Sequence, residues 1–152
     1  MATQQDTYQP LISEILRKVN NAKTKAEKKE LLLKYNTQTL RSLFIWNFDE
    51  TVQSMLPEGE VPFKPNPAPE GTDHILLQNE GKKFYYFVKG GADNIKQSKR
   101  EEIFIGMLES LHPDEAEVIC LVKDKKLQSK YTRISKTLIQ ETFPQIQWGN
   151  RS

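Results

Sequence analysis

Cysteine is nearly absent from this chain of 152 residues. Cys120 is the only one, so an intrachain disulfide is excluded, as befits a reducing compartment. That cysteine and the two histidines, His74 and His112, are too far apart for a zinc-ligand spacing. Long apolar runs are missing too. The most apolar stretches, such as Phe84-Tyr85-Tyr86-Phe87-Val88, fall well short of the roughly 20 residues that span a bilayer. Residues Met1 to Tyr8 are polar and lack the apolar region of a secretory signal. Glycine is sparse, and neither a Walker-type loop nor a GxGxxG run occurs. Charge is nearly balanced at +2, too little for a dedicated non-specific DNA binder, whose affinity comes from neutralising phosphates. These absences point to a soluble intracellular protein of one domain, 1–152, with no metal, no cofactor and no membrane segment.

What is present is concentrated proline. Five of the eight prolines fall between Leu56 and Thr72. Such a segment forms neither a helix nor a central strand. It therefore divides the chain into N-terminal helices, 1–56, a Pro-rich strap, 57–72, and C-terminal helices, 73–152. The strap reads as a polyproline-type ligand for an aromatic groove or as an extended segment packing Val61 and Phe63 across a helical body. The alternation of prolines with Phe63 and Lys64 favours packing. A loop of this length also suits a partner surface, which makes Val61, Phe63 and Lys64 candidate protein-binding residues.

Apolar spacing predicts helices on both sides. Leu11, Ile12, Ile15, Leu16 and Val19 share a stripe over Tyr8 to Asn20, with Pro10 in the first turn. Thr24 caps a second helix ending at Tyr35, and a third starts near Thr37 or Gln38 with Leu40, Leu43 and Phe44 on its core side. Asp49 reads as the cap of a short fourth helix carrying Val52, Met55 and Leu56. Residues 74–88 read as one helix or as a hairpin turning at Asn79–Lys82, and a lone hairpin is marginal. Ser98 and Glu101 have the spacing of a capping box before the stripe Ile103, Phe104, Met107, Leu108, Leu111. His112-Pro113-Asp114-Glu115 opens a central helix, apolar nearly all round from Val118 to Val122. The last helix runs from Thr132 or Ser135 to Phe143. The expected class is all-α, six or seven helices in a single domain with the strap, against the alternative of α+β with a hairpin at 74–88.

Catalysis requires a nucleophile, a base and a group that orients them. His112 and His74 both stand at element starts, where boundary roles are the simpler reading. Cys120 sits among Val118, Ile119, Leu121 and Val122 and reads as a core hydrophobe. Asp114, Glu115 and Glu117 fit a helix N-terminus better than a cation site. No enzyme is expected. Lysine and arginine are segregated along the chain, and Lys25, Lys28, Lys29, Lys82, Lys83, Lys125 and Lys126 are candidate nucleic-acid-binding residues. Tyr85, Tyr86 and Tyr131 lie near basic residues, as a single-strand stacking surface requires. Solvated lysine faces are the commoner outcome, because no recognition motif accompanies the charge.

Three stretches carry a resemblance: Leu56-Pro57-Glu58-Gly59-Glu60-Val61-Pro62-Phe63-Lys64-Pro65, Phe84 to Gly91, and Arg100 to Ala116. With Phe143-Pro144 and Trp148, they resemble a small uncharacterised family of T4-like tailed bacteriophages, notably those of marine cyanobacteria, over about Leu40 to Trp148. The resemblance implies a virus-encoded role in the cytoplasm of an infected bacterium, and it leans 74–88 toward helix. It transfers no functional residue. The expected function is that of a non-enzymatic accessory protein binding a viral or host protein. The alternatives are a nucleic-acid-binding factor and a virion or assembly component.

Overall fold

The computed structural model describes residues 10–65 and 74–150. Six α-helices occur among them: α1 (Ile12–Asn21), α2 (Lys25–Lys34), α3 (Gln38–Phe48), α4 (Gln97–Ser110), α5 (Pro113–Lys123) and α6 (Lys136–Thr142). Short 3-10 turns cover Leu77–Asn79, Gly81–Tyr86 and Leu127–Ser129. No strand forms among the described residues, only two isolated bridges, Ser54 with Val88 and Ile75 with Leu111. The class is all-α. The expected first-helix start at Tyr8 and the strap beyond Pro65 lie outside the described residues.

Capping chemistry explains most helix starts. Thr24, Thr37 and Ser135 each accept a backbone N–H of the first turn through the side-chain hydroxyl, satisfying donors that have no intrahelical partner. His112 does the same with its ring, Nδ1 accepting from Asp114 N at 3.0 Å, and Pro113 takes the first helical position. Glu14 reaches back to Leu11 N at 2.8 Å.

Helix α5 is the centre. It packs against α1, α3 and α4, while α2 lies on α1 and α6. Its inner side buries Ala116, Val118, Ile119 and Val122. Phe44, Phe87, Phe104 and Phe143 are fully buried around the same core, each worth about 1.5–3 kcal/mol of transfer free energy. Trp46 meets Phe84 and Phe87 with ring centroids at 5.7 and 6.3 Å, and Phe87 meets Phe104 edge-on at 5.1 Å.

Several boundaries depart from the sequence expectation. Residues 74–88 form neither an α-helix nor a hairpin. Their N–H groups bond three residues back, as in Glu80 N to Leu77 O and Phe87 N to Phe84 O. Leu77 with Glu80 and Phe84 with Phe87 are buried at a spacing of three, at which side chains eclipse in a 3-10 turn. Gly81 draws the segment onto α3; a Cβ there would lie 2.5 Å from Thr39 Oγ1. The short helix expected after Asp49 is also absent. Asp49 instead accepts from Thr51 N and Gly149 N, and residues 53–55 pair with 87–89 through Met55 N to Phe87 O and Lys89 N to Gln53 O. Tertiary pairing overrides a weak local preference here. Helix α1 starts after Pro10, with Leu11 as its cap. Helix α4 starts at Gln97 without the Ser98 box, because Glu101 bonds the Gln97 side chain.

Glu115 is buried at the first turn of α5 and binds two other segments. Its carboxylate accepts from Ile12 N at 2.7 Å and Leu77 N at 3.0 Å. It thereby faces the positive end of α1. Burial pushes its carboxyl above the ordinary 4.5, against the backbone donors that pull it down. A folded value above the unfolded one gives stability that is complete below the unfolded value and lost as pH rises through the folded one. The stability difference between wild type and Glu115→Gln is therefore expected to fall as pH is raised from about 4 to about 8. Urea midpoints at each pH measure it, and a flat or rising difference contradicts the raised value.

Candidate functional site

The strap begins where α5 ends. Lys123 continues the buried stripe of α5, four residues beyond Ile119, and its side chain is 0% exposed. Its ammonium donates to Pro57 O at 2.7 Å, Gly59 O at 3.1 Å and Asp124 Oδ1 at 2.6 Å. The other Asp124 oxygen accepts from Gly59 N at 3.1 Å. Gly59 has φ +100°, a conformation that side chains disfavour. Downstream, Lys64 N donates to Glu109 Oε2 at 2.9 Å. Val61 and Phe63 are half-buried against the core, whereas Pro62, Lys64 and Pro65 are exposed. Between this strap and α4 runs a groove of about 120 Å³ lined by Leu56, Pro57, Val61, Pro62, Phe104 and Ile105, with Glu60 and Glu101 on its rim.

Most of the lysines picked out as phosphate contacts are tied down elsewhere. Lys25 and Lys29 share Glu141 at 2.6 and 2.9 Å. Lys28 is buried, its ammonium on Ala22 O. Lys83 pairs with Glu80 at 2.8 Å, and Lys126 faces Glu58 at 3.6 Å. Lys125 donates to Trp46 O and Asp49 O at the end of α3, and its burial lowers its affinity for a proton. Lys82 stays exposed on the second 3-10 turn. Arg100, counted among the basic residues, is buried. It binds Tyr86 O at 2.8 Å and Ala92 O at 3.0 Å. Tyr131 is buried as well, which removes it from any stacking surface.

Tyr85 is 47% exposed and its ring stacks on Tyr86 with centroids 4.2 Å apart. A hydrogen bond with Tyr86 raises the Tyr85 phenol above its ordinary value. Gly91 passes so close that a Cβ would collide with the Tyr85 carbonyl. The exposed ring is thus fixed from beneath by a buried arginine and a tight backbone crossing. Beside it lies a hollow of about 220 Å³ lined by Ser42, Ile45, Trp46, Val52, Phe84, Tyr85 and Val88.

The groups with catalytic potential are engaged differently. His112 caps α5, and its ring meets His74 edge-on at 5.2 Å. Burial pushes the half-buried Cys120 thiol up to about 11, a protonated and unreactive form near neutrality. Among the described residues, no group of three or more His, Cys, Asp or Glu is placed to hold a metal ion, and no helix is long and apolar enough to cross a membrane.

The model of a family of unknown function, DUF6433, matches residues 15–129. The chain belongs to this family. The DUF6433 match runs from Ile15 within α1 through α5, taking in the strap and Tyr85, and it stops before α6 and the tail. No curated protein and no solved structure matches the chain.

Lys123 was not singled out by charge patterning, which counts it with its exposed neighbours. Its helical spacing was the available signal, as it was for Arg100, four residues before the buried Phe104. Lys123→Met removes a donor from two strap carbonyls and leaves Asp124 beside an apolar chain. The expected cost is about 2–4 kcal/mol in urea unfolding, with faster proteolysis between residues 57 and 65. Unchanged stability together with unchanged cleavage is the contrary result.

Proposed function

We infer that this chain is a non-enzymatic accessory protein of a tailed bacteriophage, acting in the cytoplasm of the infected host by binding another protein through the strap face. One observation carries the reading. The start of the strap is pinned by a buried ammonium to the end of the central helix, and among the described residues an apolar groove runs between it and α4. Loops without packing or recognition roles are seldom fixed so firmly. A segment held in place before a partner arrives loses little entropy on binding. The rim charges, Glu60 and Glu101, suit a partner segment that combines apolar and basic residues. The phage setting rests on the resemblance of 56–65, 84–91 and 100–116. A virion or assembly role would use the same surface.

Nucleic-acid binding is the weaker reading. Lys25, Lys29, Lys83 and Lys126 face carboxylates, and Lys28 and Lys125 hold backbone carbonyls. Phosphates would have to displace those partners.

Affinity purification of tagged chain from infected cells, with and without nuclease, tests this. A protein partner is expected to survive nuclease. It should be lost with Glu60→Lys combined with Glu101→Lys and be reduced at least severalfold by Phe63→Ala. Both variants should keep wild-type helicity by circular dichroism. Recovery that vanishes with nuclease and falls steeply with salt would replace protein binding with nucleic-acid binding.

A further inference from the structure

The hollow beneath Tyr85 does not end at Ser42. That residue also lines a second hollow of about 180 Å³ with Gln38, Thr39, Gly81 and Lys82. The two hollows share Ser42, and their linings run along one side of α3, from Gln38 to Trp46, facing residues 81–88; we read them together as one groove. Its two ends differ in chemistry. The end toward the C-terminus of α3 is formed by Ile45, Trp46, Val52, Phe84, Tyr85 and Val88, with the Ser42 hydroxyl and the Tyr85 phenol as its side-chain hydroxyls. The end toward the N-terminus offers an amide, two hydroxyls and the exposed ammonium of Lys82. No carboxylate lines either hollow.

Each wall is fixed separately. Trp46 Nε1 donates to Ser54 Oγ at 2.8 Å, and Ser54 Oγ donates to Lys123 O at 2.6 Å. The pairing of Ser54 with Val88 sets Val52 and Val88. Arg100 and Gly91 set the 84–86 backbone, and the Gly81 approach to Thr39 closes the polar end. A groove with fixed walls, an apolar floor and a few convergent polar groups is the usual form of a recognition site.

We propose that this groove is a second binding site, separate from the strap, and that it takes an extended peptide segment of another protein bearing an apolar or aromatic side chain followed by a carboxylate. Charge complementarity at Lys82 decides the acid. The apolar floor decides the first side chain, since it has no amide pair to read the edge of a nucleobase. Seven residues of α3, Gln38 to Ile45, separate the two ends, about 10 Å of helix. An extended chain covers that in about three residues, so the acid belongs two or three positions from the apolar residue. The proposal does not depend on the strap reading.

An array of hexapeptides tests it, pairing each apolar residue with Asp, Glu, Lys or Arg two or three positions on. It is probed with the full chain, and hits are measured by fluorescence anisotropy. Apolar–acidic peptides are expected to bind and apolar–basic ones not to. Tyr85→Ala is expected to weaken binding roughly tenfold, Lys82→Glu to transfer the preference to basic peptides, and Ser42→Leu to block the groove. Tyr85 and Lys82 are exposed, so unchanged melting of their variants shows that the fold is kept. Strap variants such as Phe63→Ala should leave this binding intact. The proposal is overturned if no peptide class binds, if binding is indifferent to Tyr85 and Lys82, or if a twelve-residue oligothymidylate binds through Tyr85 where peptides do not.

Discussion

A lysine ammonium and a glutamate carboxylate, both withdrawn from water, lie eight residues apart on α5, and most of the remaining chain is organised by what they bind. Glu115 sits in the first turn, where the helix dipole favours an anion, and Lys123 in the last, where it favours a cation. Each binds backbone groups of segments distant in sequence, and Lys123 also binds the side chain of its neighbour Asp124. Glu115 gathers the start of α1 and the first 3-10 turn; Lys123 gathers the start of the strap. Burying an isolated charge is costly. Here the dipole, the neighbouring Asp124 and several N–H and C=O partners offset that cost. The central helix is thus both the apolar core and the point of attachment for the irregular segments.

The same economy governs the surface. The chain carries 22 lysines and arginines, and several of them act as structural donors. Arg100 holds the loop that displays Tyr85, Lys125 closes the end of α3, and Lys28 closes the end of α1. Charge counted along the sequence therefore overstates the positive surface open to a polyanion. What stays open is more local: an acid-rimmed groove beside the strap and an apolar groove ending at Lys82.

The helices were legible because their signals are local. A hydroxyl before a periodic apolar run is enough to cap a helix, and Thr24, Thr37 and Ser135 behave accordingly. His112 and Pro113 mark the start of α5 in the same way. The irregular segments were not legible, since distant partners decide their shape. Residues 49–56 carry a helix-like pattern, but after one turn at 49–52 the pairing with 87–89 and the Trp46–Ser54 hydrogen bond draw residues 53–55 away from a helix. Residues 74–88 are aromatic enough for a strand, yet they coil into two 3-10 turns that bury Leu77, Glu80, Phe84 and Phe87, with Gly81 tight against Thr39. The groove at Tyr85 is walled on one side by Val52 and residues 84–88 of these segments, and the groove beside α4 by the irregular strap. Sequence patterning found Val61 and Tyr85 as residues but could not place them beside a cavity.

Among the described residues of the strap, 57–65, four bonds are made to the main chain: two carbonyls to Lys123, the Gly59 N–H to Asp124 and the Lys64 N–H to Glu109. Such an attachment takes little notice of side chains. Apart from Gly59, whose backbone angle is demanding, and the inward Val61 and Phe63, residues 57–65 can change their outward side chains without losing their place. A lineage under pressure to follow a changing partner could rewrite the exposed letters of this segment while the helices beneath it stayed as they are.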